Sequence, residues 1–257
     1  MPNIADANQT IGALAACRPA SIPILERLGL DFCCRGSRDF ADACRERGID
    51  PETVRREIDD AEAHTPDPTD RDWARASIVE LADHIEQTHH VYAREAFARL
   101  ASIVPRVVAV HSETHPELRE LADLIEELRQ DMHDHFIREE RVLFPWLRRL
   151  ERHSEIHTGP PWSVQRPISC MEHDHDAVAA CFRRMRDLTH GFAPPAGACA
   201  SYAAVLHTLA DLERDTHVHI HKENNILFPA GMRAEERAAG SAAPRFTRCL
   251  AGRRWIT

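Results

Sequence analysis

Apolar positions recur at helical spacing in four long stretches of the chain, at about 74–104, 117–151, 168–189 and 200–227, each long enough for several turns. In the third, Ile168, Met171, His175, Val178, Phe182, Met185 and Thr189 step by threes and fours and so share one stripe. A histidine sits in the middle of that apolar face. Four such helices predict an up-down bundle over residues 74–230.

The pattern before the bundle is shorter. An Ala-rich stretch after Thr10, then Ser21–Leu28, Ser37–Arg47 and Pro51–Glu62 read as brief helices punctuated by Gly29, Gly36 and Gly48. They predict a small helical domain over 1–62. Pro66 and Pro68 among polar residues interrupt the helical pattern over 63–73, which is expected to be a linker. Beyond Pro229 the periodicity fades into Ala, Arg and Gly, so residues 231–257 are expected to form a frayed tail.

Composition agrees with an all-α fold: the 257 residues include only ten glycines, and Ala, Leu, Arg and Glu dominate. The formal charge is −9, with basic residues scattered among acids, which gives no support to nucleic-acid binding. No run approaches the roughly 20 apolar residues of a membrane span, and the start lacks a signal-peptide pattern. A cytoplasmic protein without membrane contact is expected. The eight cysteines lack a disulfide-framework spacing, which fits reduced thiols in a reducing compartment.

The chemistry is carried by an internal repeat. His135-Phe136-Ile137-Arg138-Glu139-Glu140-Arg141-Val142-Leu143-Phe144-Pro145 returns 84 residues later as His219-Ile220-His221-Lys222-Glu223-Asn224-Asn225-Ile226-Leu227-Phe228-Pro229. Both read H-x-x-x-E-x-x-[VI]-L-F-P. A His and a Glu four apart lie on one helical face and can grip one metal together. A single such pair is usually a solvated surface pair. Here His135 continues the stripe of Leu121, Leu124, Leu128 and Met132, and His219 follows Leu212, so both face the core, where ionisable groups need partners.

His175 precedes His219 by 44 residues and His90 precedes His135 by 45, as though one helical hairpin had been used twice. Periodicity from Leu81 and Ile85 places His89 nearer the stripe, whereas the hairpin spacing favours His90. Four histidines and two carboxylates at one depth of a bundle suit two metals. Imidazole with carboxylate and no thiolate fits iron, manganese or zinc, and carboxylate bridging favours a di-iron or di-manganese pair; iron is expected. His84, His133, His173, His217 and His221 fall off the stripe and are expected at the surface or behind the ligands. Asp131, one turn before His135, and Asp174, beside His175, are candidates to orient imidazoles. His111 lies 21 residues from His90, about 31 Å along a straight helix, and reaches the site only if the chain folds back.

Asp31-Phe32-Cys33-Cys34-Arg35-Gly36, Thr88-His89-His90 followed by Arg94-Glu95, both repeat copies, and Pro167-Ile168-Ser169-Cys170-Met171-Glu172 leading to His175 together resemble the repair-of-iron-centres family. The resemblance spans nearly the whole chain. It implies a small cysteine-bearing domain before a hemerythrin-like four-helix bundle. It also implies terminal iron ligands His90, His135, His175 and His219, bridging Glu139 and Glu223, Asp131 and Asp174 near a metal channel, and a family counterpart for His111. His89 stands where the family has tyrosine, and Arg35 where a glycine is common.

The cofactor so implied is two non-haem irons, carboxylate-bridged, with an oxo bridge as an option. The function implied is repair of iron–sulfur clusters under nitrosative or oxidative stress, by iron donation more than by turnover, with damaged iron–sulfur proteins as partners and NO or O2 as small ligands. A redox enzyme acting on nitric oxide or nitrite, with Cys33 and Cys34 as a thiol relay, and an O2 or iron sensor are the alternatives. A homodimer is left open. Adjacent Cys33 and Cys34 cannot easily close a disulfide on each other, so they are candidates for transient metal binding or electron exchange.

Overall fold

The computed structural model describes residues 9–64, 72–152 and 163–241, and among these every regular element is a helix, without a strand. The first segment forms α1 (Ile11–Cys17), α2 (Ile22–Arg27), α3 (Phe40–Glu46) and α4 (Pro51–His64). Thr10 caps α1 by accepting the Ala13 N–H at 3.2 Å, and Asp39 caps α3 through the Asp42 N–H at 2.9 Å. Gly29 and Gly48, at φ +64° and +68°, end α2 and α3 where a side chain would be strained.

The bundle has four struts. The first joins α5 (Ile78–His84) to α6 (Val91–His111), and the second joins α7 (Glu117–Arg138) to α8 (Phe144–Arg152). The third is α9 (Gln165–Leu188), and the fourth joins α10 (Ala200–Lys222) to α11 (Phe228–Ser241). A Ser77–Glu80 capping box starts the first strut. Toward one end α6 packs against α7 and α10, and α7 against α9; toward the other, α8 packs against α5 and α11.

Three struts contain a π-helical turn: Ile85–His90, Glu139–Leu143 and Glu223–Leu227. Proline explains the two repeat copies. Pro145 and Pro229 have no N–H to give to the carbonyl four residues back. One residue earlier, Phe144 donates to the Glu139 carbonyl and Phe228 to that of Glu223, five back. The wider turn puts Val142 in solvent and returns Leu143, Phe144, Leu147 and Leu150 to the core. Such turns gather at functional sites.

Two expectations need correction. The first strut continues through Pro105 to His111, because the proline stands on the exposed face while Val104 and Val107 stay packed. Water can then meet the carbonyl that loses its donor. The expected frayed tail is helical as far as Ser241, held by the burial of Ala234 against the α8 side of the bundle. Residues 65–71 of the expected linker and 242–257 of the expected tail lie outside the described residues.

The buried apolar residues form two clusters. One includes Leu100, Leu121, Phe182 and Leu206 and continues into the first segment through Leu14, Leu25, Phe32 and Ile58. The other includes Leu81, Leu147, Ile168 and Phe228. Along each strut the change from one cluster to the other falls at residue 85–93, 136–143, 171–178 or 220–227. These four positions mark one level of the bundle.

Glu213 is buried inside the larger cluster, and Arg186 donates to both its oxygens at 2.7 and 2.8 Å. Removing one partner of such a pair leaves a charge uncompensated. Because the Arg186 side chain is itself 48% exposed, water would offset part of the loss. Arg186→Ala is expected to cost about 2 kcal/mol and to lower Tm by about 5 °C in calorimetry. An unchanged midpoint would show that Glu213 does not depend on this partner.

Candidate metal centre

His90, His135, Glu139, His175, His219 and Glu223 all lie at that level, and all are buried. They form two sets, His90–Glu139–His219–Glu223 and His135–Glu139–His175–Glu223, whose ligand atoms lie within 4.8 Å of one another and which share both carboxylates. His90 Nε2 is 3.4 Å from Glu139 Oε2, and His135 Nε2 is 3.3 Å from Oε1. His175 Nε2 is 3.1 Å from Glu223 Oε2, and His219 Nε2 is 3.0 Å from Oε1. Each carboxylate thus offers one oxygen to each set.

The ambiguity between His89 and His90 comes from the π turn. His90 follows Ile85 by five residues, the spacing that turn brings onto one face, whereas an α-helical count from Ile85 selects His89. His89 is buried beside the site instead, with Nδ1 2.9 Å from Asp215 Oδ1, Nε2 2.9 Å from Lys222 Nζ and its ring stacked on His219.

Outer partners aim three of the imidazoles. His90 Nδ1 donates to Glu140 Oε1 at 2.8 Å, where Arg94 also donates. His175 Nδ1 donates to Asn224 Oδ1 at 2.9 Å, and His135 Nδ1 lies 3.3 Å from Asp174 Oδ2, which Arg138 also holds. A proton fixed on Nδ1 leaves the Nε2 lone pair directed inward. Glu140 and Asn224 were not foreseen. They occupy equivalent places in the repeat, just after the shared glutamate, and each orients the histidine of another strut.

A cation fits this cage. His90 Nε2, both oxygens of Glu139 and Glu223 Oε2 are buried without a hydrogen-bond partner, close to their neighbours but not aligned with them. Buried polar atoms rarely go unsatisfied. Burial opposes charge on these histidines, yet the Glu139 carboxylate, with the bond to Asp174, raises His135 to about 10, and Glu139 raises His90 as well. Burial and the neighbouring Glu223 oppose ionisation of Glu139, but His135 and His90 bring it below its usual value. Glu223, similarly opposed by burial, is held far below by His219 and His175. For His219 burial prevails and the shift is downward. Two buried acids thus draw positive charge, which metal ions would supply without protonating the imidazoles.

Cys33 and Cys34 lie over the third strut, with their sulfurs 3.8 Å apart and Cys34 Sγ 3.8 Å from the His175 carbonyl. The bond to Cys34, with burial, pushes the Cys33 thiol well up, so Cys33 is not by itself an ionised nucleophile at neutral pH. A cleft of about 590 Å³ reaches His135 between α7 and α9, lined by Asp131, Asp134, Arg138, His173 and Asp174 among others.

His111 stands apart from the site, its Nε2 3.1 Å from Cys199 Sγ at the far end of α6. His133 and His173 are exposed, as expected. His221 is not: burial lowers its pKa to about 4, and its ring meets Phe32 edge-on at 5.5 Å. His217, 3.2 Å from Glu26 Oε1, belongs to the same contact with the first segment.

A helical bundle with histidine and glutamate groups at one level is the architecture of the hemerythrin class, and residues 81–231 match the hemerythrin HHE cation binding domain. Residues 7–62 match ScdA_N, a domain of unknown function. The chain is 30% identical over 228 residues to the iron-sulfur cluster repair protein YtfE of Pectobacterium carotovorum subsp. carotovorum, covering 89% of this chain and 98% of that one. It is 32% identical over 210 residues to the iron-sulfur cluster repair protein ScdA of Staphylococcus haemolyticus, covering 82% and 91%. The chain belongs to the repair-of-iron-centres family, and its bundle is an iron-binding domain of the hemerythrin type.

Proposed function

We propose that the bundle holds two non-haem irons, one through His90 and His219 and one through His135 and His175, with Glu139 and Glu223 bridging them. We further propose that the chain restores iron–sulfur clusters damaged by nitrosative or oxidative stress by giving up iron. The observation that carries the metal assignment is the sharing of both buried carboxylates between the two sets, with both oxygens of Glu139 and Oε2 of Glu223 left without a hydrogen-bond partner. The repair reading draws on the relatives named for that activity, at close to full length. Bound iron would supply redox and Lewis-acid chemistry. The protein's own part is to bring four imidazoles to one level, to aim three of them through Glu140, Asp174 and Asn224, and to keep a cleft open beside His135. An interior pair of ions held by six side chains, beside a cleft lined by Asp131, Asp134 and Asp174, suits storage and release.

The test is reactivation of an NO-inactivated iron–sulfur dehydratase in a cell extract depleted of free iron. Iron-loaded protein is expected to restore its activity, and metal-free protein is not. No rescue by the loaded protein would defeat the repair reading. The cleft at His135 also favours a second reading, reduction of nitric oxide or nitrite at the same centre, since it is wide enough to admit small molecules. Catalytic turnover of NO with an added reductant, without rescue in the extract, would select that reading instead.

A further inference from the structure

We propose that Asp31, Cys33 and Cys34 form a second metal site, binding one ferrous ion in transit between the bundle and an acceptor protein. The proposal rests on the iron-donor reading above. Its ligand atoms, one from each residue, lie within 4.8 Å of one another. The sulfurs are 3.8 Å apart, and Cys33 Sγ is 3.4 Å from Asp31 Oδ1.

The loop is shaped to hold them together. Asp31 Oδ1 accepts the backbone N–H groups of Cys34 at 2.9 Å and Arg35 at 3.2 Å, which folds the chain so that both thiols and the carboxylate converge. Adjacent cysteines resist closing a disulfide on each other, and both are free thiols here. The pair therefore stays available to a cation. Two thiolates and a carboxylate bind ferrous iron without a change of oxidation state; both thiols give their protons to solvent on binding. Three protein ligands leave an open position, which a structural site fills and a site for ligand exchange does not.

Position argues for transit. Asn224 accepts from His175 Nδ1 at 2.9 Å through its oxygen, and donates to the Cys33 carbonyl at 3.3 Å through its nitrogen. One carboxamide thus links the orientation of a proposed ligand to the cysteine loop. In the other repeat copy the same place is taken by Glu140, which pairs with His90 and Arg94. The loop docks on the copy that carries the neutral amide.

Anaerobic Co(II) titration of the full chain tests the site, because thiolate ligands give an intense near-ultraviolet charge-transfer band that imidazole and carboxylate do not. The band is expected in the wild type and in Glu139→Leu/Glu223→Leu, and expected to vanish in Cys33→Ser/Cys34→Ser while that variant keeps its bundle iron. Asp31→Asn is expected to weaken Co(II) binding at the band by roughly tenfold or more. Release of iron from the loaded wild type to a chelator is expected to be faster than from Cys33→Ser/Cys34→Ser. Absence of the band with bundle iron intact, or its persistence in the double serine variant, would overturn the site. Equal release rates would overturn its transfer role. A band in a protein that never loads bundle iron would instead defeat the iron-pair reading and leave this site standing.

Discussion

Glu139→Leu combined with Glu223→Leu is expected to bring iron from about two per chain to near zero, and either change alone to remove most of it. Each glutamate offers one oxygen to each set, so one substitution withdraws a ligand from both proposed ions. A terminal histidine belongs to one set only. His219→Leu is therefore expected to act first on the ion shared with His90 and to leave more iron behind than Glu223→Leu does. Leucine approximates the length of glutamate, and the fold should survive: the flanking clusters around Leu121 and Leu147 do not include the site residues. Iron measured by plasma emission against protein concentration, with helicity from circular dichroism, checks the result. Full occupancy in the double variant would refute the ligand assignment. A loss of helicity matching the loss of iron would shift the cause to folding, and His219→Leu then separates the two.

The parts of this site that were legible in the sequence share one property: their spacing survives changes of helical geometry. His135 and Glu139, like His219 and Glu223, span the turn that ends where the π segment begins, so the i, i+4 rule still brings each pair together. His175 lies in an unbroken α-helix, and its apolar stripe pointed straight at it. His90 lies at the end of a π turn, where counting at 3.6 residues per turn selects its neighbour. What remained hidden depends on contacts between distant segments. Glu140 and Asn224 look like surface residues in a linear reading, and the choice for His221 between the surface and a place behind the ligands could not be made there, because the Phe32 segment that covers it is distant in the chain. The continuation through Pro105 was concealed for a different reason, since it depends on which face of the helix meets water.

That cover is the part of the molecule most sensitive to a small change, and Gly12→Ala is expected to loosen it without emptying the bundle. The Gly12 N–H donates to the Gly36 carbonyl at 2.8 Å, which brings the two backbones together against Asn225. A Cβ at Gly12 would stand 2.1 Å from Asn225 Oδ1 and 3.0 Å from Gly36 Cα; one at Gly36 would stand 2.2 Å from the same oxygen. Asn225 cannot step aside freely, because its nitrogen is bonded to the Phe32 carbonyl at 3.0 Å and lies 3.0 Å from His221 Nδ1. Moving it breaks the hold on the loop that carries Cys33 and Cys34. The cost should be about 1–3 kcal/mol, the range for overpacking a closed contact. It should appear as faster amide hydrogen exchange over residues 30–36 while the bundle helices α7 and α9 stay protected. Asn225→Ala alone removes the same bonds to the Phe32 and Cys33 carbonyls without any steric conflict, so it should raise exchange over residues 30–36 as well, and adding Gly12→Ala to it should add little. Unchanged exchange in Gly12→Ala, with iron content also unchanged, would mean that the first segment is not held to the π turn Glu223–Leu227 through this contact, and that the coupling of the cysteine loop to His175 must run through Asn224 and the Cys34 thiol.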